Sequence, residues 1–167
     1  MHATAFDFVR RVVQSLPVLH RVVEFGSRSV NGSVREIFTD AREYVGVDIV
    51  AGPGVSVVAD AASWNGGGSF DCVVCCEMLE HAPDIAGVCA SAYRALRRGG
   101  SFIVTCATDP RPPHSADGDG PPKDGEFYRN VRPHDLCRAM REAGFDVAAA
   151  ELVGIPGDLH CFAMRVR

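Results

Sequence analysis

No stretch of the 167 residues approaches the ~20 consecutive apolar residues that a transmembrane helix requires. The first residues, MHATAFDFVRRVVQSLP, do not have a signal-peptide profile, because Asp7, Arg10 and Arg11 interrupt the apolar region. There is no excess of basic residues either. The formal net charge is −4, and a protein that grips a phosphate backbone usually carries a basic footprint, so nucleic acid is disfavoured as a partner. Seven cysteines at irregular spacing do not make a disulfide framework, which points to free thiols and a cytoplasmic location. No internal repeat is present. The length suits one domain over residues 1–167 and leaves little room for a second.

What the sequence does contain is an alternation of strand and helix signals. Phe6, Val9, Val13 and Leu16 share one helical face, predicting an N-terminal helix over 4–16 that Pro17 ends. Residues 19–25 read as a strand broken by Gly26. Ser33 and Glu36 have capping-box spacing, predicting a short helix to about Ala41. Strands follow at 44–49, 55–59 and 70–76, the last an almost continuous apolar run of the kind buried on both faces of a parallel sheet. Pro83 opens a helix with Ile85, Val88, Cys89, Ala92 and Leu96 at helical spacing, and Gly99-Gly100 stops it. A strand at 101–106 leads into a proline- and glycine-rich loop over 107–131, long enough to be functional or disordered. Pro133 opens the last helix, with Leu136, Met140 and Ala143 as its apolar stripe and Gly144 as its cap. The strands at 146–152 and 160–166 read as an antiparallel pair. The expected fold is α/β: a doubly wound, mostly parallel seven-stranded sheet with an antiparallel C-terminal strand.

Such sheets bind ligands beyond the carboxyl ends of their strands. Three acids fall there: Glu24, Asp48 and Asp60, with the loop Gly26-Ser-Arg-Ser-Val-Asn-Gly32 after the first. A pyrophosphate site needs G-x-G-x-x-G, and here Arg28 occupies the middle glycine position, so a dinucleotide is disfavoured. Carboxylates suit a phosphate-free nucleoside ligand. Asp48 can accept from both hydroxyls of a ribose, Asp60 from an adenine amino group, and Glu24 can order the loop and help neutralise an ammonium. Any one of these acids alone would be read as a helix cap or a solvated strand end.

The segments that carry the pattern, VVEFGSRSVNGSV, YVGVDI, VVADAASW, FDCVVCCEMLEHAPD, RALRRGGSFIVT and EFYRNVRPHDLCRAMREAGF, resemble the successive motifs of class I S-adenosylmethionine-dependent methyltransferases of the type 11 group. The resemblance runs from about residue 19 to the end. It implies a Rossmann-like methyltransferase fold with S-adenosyl-L-methionine held by Glu24, Gly26, Ser27, Gly32, Asp48, Ile49, Asp60, Ala61, Cys76 and Glu77. It also implies methyl transfer to an oxygen or nitrogen of a small molecule. Arg28 departs from the group's usual glycine, and Arg132 stands where Ser or Thr often caps the late helix.

The remaining constellations are less pointed. Cys72 and Cys75 have C-x-x-C spacing, but in a strand they point to opposite faces, so no metal site is expected. Trp64 reads as a cover for the adenine edge or a surface residue. His81 and the loop residues His114 and Tyr128 are the candidates for the acceptor side, where a histidine could remove a proton. A cofactor-binding module without catalysis would keep the acids and lack the acceptor pocket. A nicotinamide oxidoreductase is disfavoured by the broken fingerprint and the absent Tyr-x-x-x-Lys pair.

Overall fold

The protein is described here from a computed structural model over residues 2–118, 120–155 and 157–166. Seven strands form one sheet: β1 Arg21–Phe25, β2 Glu43–Asp48, β3 Val57–Val58, β4 Phe70–Cys76, β5 Leu96–Ala107, β6 Asp146–Val153 and β7 Asp158–Met164. Their order is β3-β2-β1-β4-β5-β7-β6. The four pairings from β3 to β5 are parallel, and β7 runs antiparallel to both β5 and β6.

The alternation of side chains along β1 and β4 makes two cores. Val23, Phe25, Val73 and Cys75 face the helices α2 Ile85–Ala95 and α3 Pro133–Ala143. Val22, Cys72 and Val74 face the other way, where α1 Ala3–Ser15 lays Phe8 and Val9 against them. Cys72 and Cys75 therefore lie in different cores, as a strand requires, and burial pushes both thiols up. All seven cysteines are free. Among the described residues, no helix is long and apolar enough to cross a membrane.

Several elements differ from expectation. The helix predicted after Ser33 is only a 3-10 turn, Arg35–Ile37. Ser33 Oγ accepts from the N–H of Arg35 at 3.1 Å, an early turn that takes the place of the capping box. A cavity of about 460 Å³ lies between this turn and the end of α1, lined by Phe6, Val13, Ile37 and Phe38 among others. β3 is reduced to two residues. Helix α2 starts two residues after Pro83, because the Asp84 carboxylate caps it by accepting from the Gly87 N–H at 2.8 Å. It ends at Ala95, so Leu96 begins β5, and a register shift between Phe70 and Cys72 carries Arg97–Gly100 outside the ladder. Arg97 and Arg98 belong to that stretch of β5. Trp64 packs into the core against Phe25 and Phe70, with ring centroids 5.8 and 5.9 Å away.

Residues between β5 and α3 form no regular element, as the loop expectation held; position 119 lies outside the described residues. This segment is nevertheless ordered by its own bonds. The Ser115 N–H donates to the Gly120 carbonyl, Ser115 Oγ donates to Glu126, and the Lys123 N–H donates to the same carboxylate.

Candidate cofactor and acceptor site

The carboxyl ends of β1, β2, β4 and β5 and the loop 107–131 meet at one end of the sheet. β1 leads into Gly26, whose φ of +75° belongs to the left-handed region. A Cβ there would lie 2.6 Å from the Met78 side chain, so only glycine lets the β1 and β4 loops meet so closely. Gly26 and Ser27 both donate their N–H groups to the Val47 carbonyl, which fixes the loop onto the end of β2. Ser27 is buried and its hydroxyl has no partner.

Asp48 ends β2. Its Oδ2 accepts from the Arg28 N–H at 3.1 Å and its Oδ1 from the Val50 N–H at 3.0 Å. Each oxygen keeps a second acceptor direction, which is what a ribose diol would use. Glu24 lies beneath the loop, almost fully buried, and accepts from Tyr44 Oη at 2.8 Å. Burial pushes its carboxyl up to about 7. Asp60 is exposed, and its Oδ1 accepts from the Ala62 N–H at 2.9 Å, so it caps the turn after β3 while its other oxygen is uncommitted. Ala61 is buried beside it; Ile49 is 70 % exposed, an apolar side chain open to solvent next to Asp48. A Cβ on Gly32 would meet nothing within 4 Å, so the end of the loop is open. The donor set of carboxylates and backbone N–H groups fits a nucleoside with a diol and an amine, and it offers no cradle for a pyrophosphate.

At the end of β4, Cys76 stays in the ladder and Glu77 leaves it with φ +53°, a conformation uncommon for a residue with a side chain. Glu77 is held by its surroundings. Its N–H donates to the Thr105 carbonyl, Thr105 Oγ1 donates to its carboxylate at 3.1 Å, and Arg111 contacts it at 3.4 Å. Arg111 also donates to Asp158 at 2.5 Å, and Asp158 is fully buried at the start of β7. Thr4 donates to the same carboxylate, and the His2 ring lies 3.0 and 3.1 Å from the guanidinium. Sequence reasoning missed this hub entirely. Arg111, Asp158 and His2 carry no motif and are brought together only by the fold.

One turn further, the three acceptor-side candidates do come together. The rings of His81, His114 and Tyr128 lie 4.8 to 5.4 Å apart in edge-to-face contact. Beside them Glu80 is fully buried, neither of its oxygens has a hydrogen-bond partner, and His114 Nε2 lies 3.9 Å from one of them. Burial, and next the charge of Glu77, push the Glu80 carboxyl well up. Burial pushes both histidines down. His114 Nδ1 is 3.2 Å from the Pro112 carbonyl, which can only accept, so in the neutral ring Nε2 carries the lone pair. His81 Nδ1 is buried without a partner.

Parallel strands β3 to β5 with an antiparallel β7 inserted beside β5, and acids at successive strand ends, define the Rossmann-like methyltransferase architecture. The model of a family described as a methyltransferase domain matches residues 1–150, and the chain belongs to that family of S-adenosylmethionine-dependent proteins. A ubiquinone biosynthesis O-methyltransferase of Methylococcus capsulatus is 31% identical over 115 residues, covering 62% of this chain and 48% of that protein. The chain thus spans about half the length of the curated relatives it matches. Among solved structures, the Burkholderia thailandensis 1,6-didemethyltoxoflavin-N1-methyltransferase, with bound substrate and S-adenosylhomocysteine, superposes with TM-score 0.71 at 18% identity over 98% of this chain and 79% of that one. An S-adenosylmethionine-dependent methyltransferase from Mesorhizobium loti gives 0.70 at 18% identity over 98% and 99%. At these identities the structural likeness speaks for the fold.

Proposed function

We propose that this protein binds S-adenosylmethionine with Glu24, Asp48 and Asp60, the loop Gly26–Gly32 with Ser27, and Ile49, Ala61, Cys76 and Glu77. On this reading it transfers the methyl group to an oxygen or nitrogen of a small molecule. The observation that carries the catalytic half is the convergence of His81, His114 and Tyr128 on buried Glu80, next to Glu77 at the end of β4. When bound, the cofactor supplies an activated methyl carbon, and the protein supplies position and electrostatics. Asp48 holds the ribose edge, Glu24 sets the charge beneath the loop, and Glu77, pinned by Thr105 and Arg111, closes the β4 side. His114 Nε2 would be the group that takes the acceptor's proton when the cofactor's methyl group is transferred. Holding the reactants in line can lower a barrier by roughly 7–11 kcal/mol, so the base need contribute only part of the rate. The O-methyltransferase relatives favour a hydroxyl acceptor.

The test is a panel of phenols, alcohols and amines incubated with labelled S-adenosylmethionine. Labelled product that depends on His114 supports the reading. Cofactor binding without transfer to any acceptor would instead favour a binding module.

A further inference from the structure

The cleft at the strand ends is rich in acids: Glu24, Asp48, Asp60, Glu77 and Glu80 all lie there. S-adenosylmethionine has one anionic group, the carboxylate of its amino-acid end, and a cleft of this sign repels it unless a cation answers. Three guanidiniums are near, and one of them, Arg35, lies over the Tyr44 ring and acts on buried Glu24 beneath the loop. Arg111 is locked between Glu77 and fully buried Asp158. Arg28 is differently placed. It is the only charged residue in the loop Gly26–Gly32, and its N–H is tied to Asp48. Its stem passes Gly52, where a Cβ would come within 3.0 and 3.1 Å of Arg28 Cγ and Cδ, so a glycine in the β2–β3 turn gives the side chain its path.

The partner of Arg28 is itself a carboxylate. Asp117, from the tip of the 107–131 loop, pairs with the Arg28 guanidinium and also with Lys123 at 2.6 Å. Asp117 is 43 % exposed at its side chain, whereas the Arg111–Asp158 pair is buried. Exposed pairs contribute little net stability and exchange readily; buried pairs do not. The loop is therefore rooted by Arg111 and by Asn130, which donates to Asp109 and to the Arg111 carbonyl, and tied by an exchangeable contact at its tip. At the tip, Ser115, Lys123 and Glu126 are tied to one another by their own hydrogen bonds.

Resting on the S-adenosylmethionine reading above, we propose that Arg28 receives the cofactor's carboxylate, that Asp117 holds its place in the empty protein, and that the exchange releases the loop tip. Arg28 is then a ligand-reading residue peculiar to this chain's loop, and Asp117 a competing pseudo-ligand.

The experiment is calorimetry with two thioethers: S-adenosylhomocysteine, and S-adenosyl-3-thiopropylamine, which keeps the amine and lacks the carboxylate. Arg28→Gln is expected to weaken S-adenosylhomocysteine by about tenfold or more, on the scale of a lost charge-assisted bond, and to leave the thiopropylamine unchanged. Unchanged thiopropylamine binding also shows that the variant is folded. Asp117→Asn is expected to tighten S-adenosylhomocysteine several-fold with no effect on the amine. Hydrogen exchange in 115–126 should rise on binding S-adenosylhomocysteine and not on binding the amine. Equal effects of Arg28→Gln on both ligands, or none on either, would overturn the role of Arg28. An unchanged affinity in Asp117→Asn would overturn the role of Asp117. Should wild type bind neither ligand, the cofactor reading fails and this inference falls with it; binding of both with no difference between variants sinks the inference alone.

Discussion

The N–H of Arg28 donates to Asp48 Oδ2 at 3.1 Å, so the loop after β1 and the acid that ends β2 are joined through one carboxylate. Val50 holds the other oxygen. Asp48 thus orders the loop, and on the proposed reading it also presents acceptors to a ribose. Asp48→Ala removes both. Charge-assisted hydrogen bonds contribute roughly 1.5–3 kcal/mol each, so affinity for S-adenosylhomocysteine should fall by about 10- to 100-fold in a folded variant, measured by calorimetry. Unchanged affinity would remove Asp48 from the site.

Glu24 makes cofactor binding depend on pH. Its carboxyl is raised to about 7 by burial, so it is mostly protonated at pH 6 and mostly ionised at pH 8. A bound ammonium favours the ionised form, and binding at pH 6 must release a proton. Affinity should therefore rise about tenfold from pH 6 to pH 8, and Glu24→Gln should flatten the profile. The sign for folding is opposite. A carboxyl whose folded value lies above its unfolded one costs stability as pH rises from about 4.5 to 7. Glu24→Gln should accordingly stabilise the empty protein at pH 8 relative to pH 4.5, a difference that urea titrations at the two pH values would show.

The account of His114 predicts a rate that is limited by protonation only in acid. Burial lowers the imidazole below its ordinary 6.5, so the free base dominates at pH 7. Formation of S-adenosylhomocysteine should rise with pH below 6.5 and level off by 7. His114→Asn should reduce turnover by about 10²-fold or more, the usual scale for a positioned base. A variant with full turnover would leave positioning alone to explain the rate.

Arg111 bears on stability. Replacing it by methionine leaves Glu77 and buried Asp158 facing each other with no guanidinium between them. Breaking a buried pair from one side costs about 3–5 kcal/mol, which urea denaturation would register as a lower midpoint. Arg138→Met, which breaks an exposed pair with Asp135 on α3, should shift the midpoint little.

The strands and the mostly parallel sheet were legible because apolar periodicity is local and buried parallel strands read as continuous runs, as in Phe70–Cys76. The acids were legible because each lies at or close to a strand end: Glu24 within β1, Asp48 last in β2 and Asp60 two residues past β3. The helix after Ser33 was not, since Ser33 bonds to Arg35 and closes a tighter turn than the capping pattern implies. The packing of Trp64 against Phe25 and Phe70 was not legible, because those two rings lie on different strands. The hub around Arg111 joins His2 to Asp158 across almost the whole chain, and no spacing rule reports such a contact. The pairing of Arg28 with Asp117 was equally hidden: Arg28 stood out in the sequence as a departure from glycine, and only the folded loop supplies its partner.

The most direct test of the central claim is a calorimetric comparison of S-adenosylhomocysteine with NAD on the wild-type protein, repeated with Asp48→Ala. The account predicts one-to-one binding of S-adenosylhomocysteine, tighter than NAD, and lost or strongly weakened in the variant. Tighter binding of NAD, or S-adenosylhomocysteine binding that ignores Asp48, would contradict it.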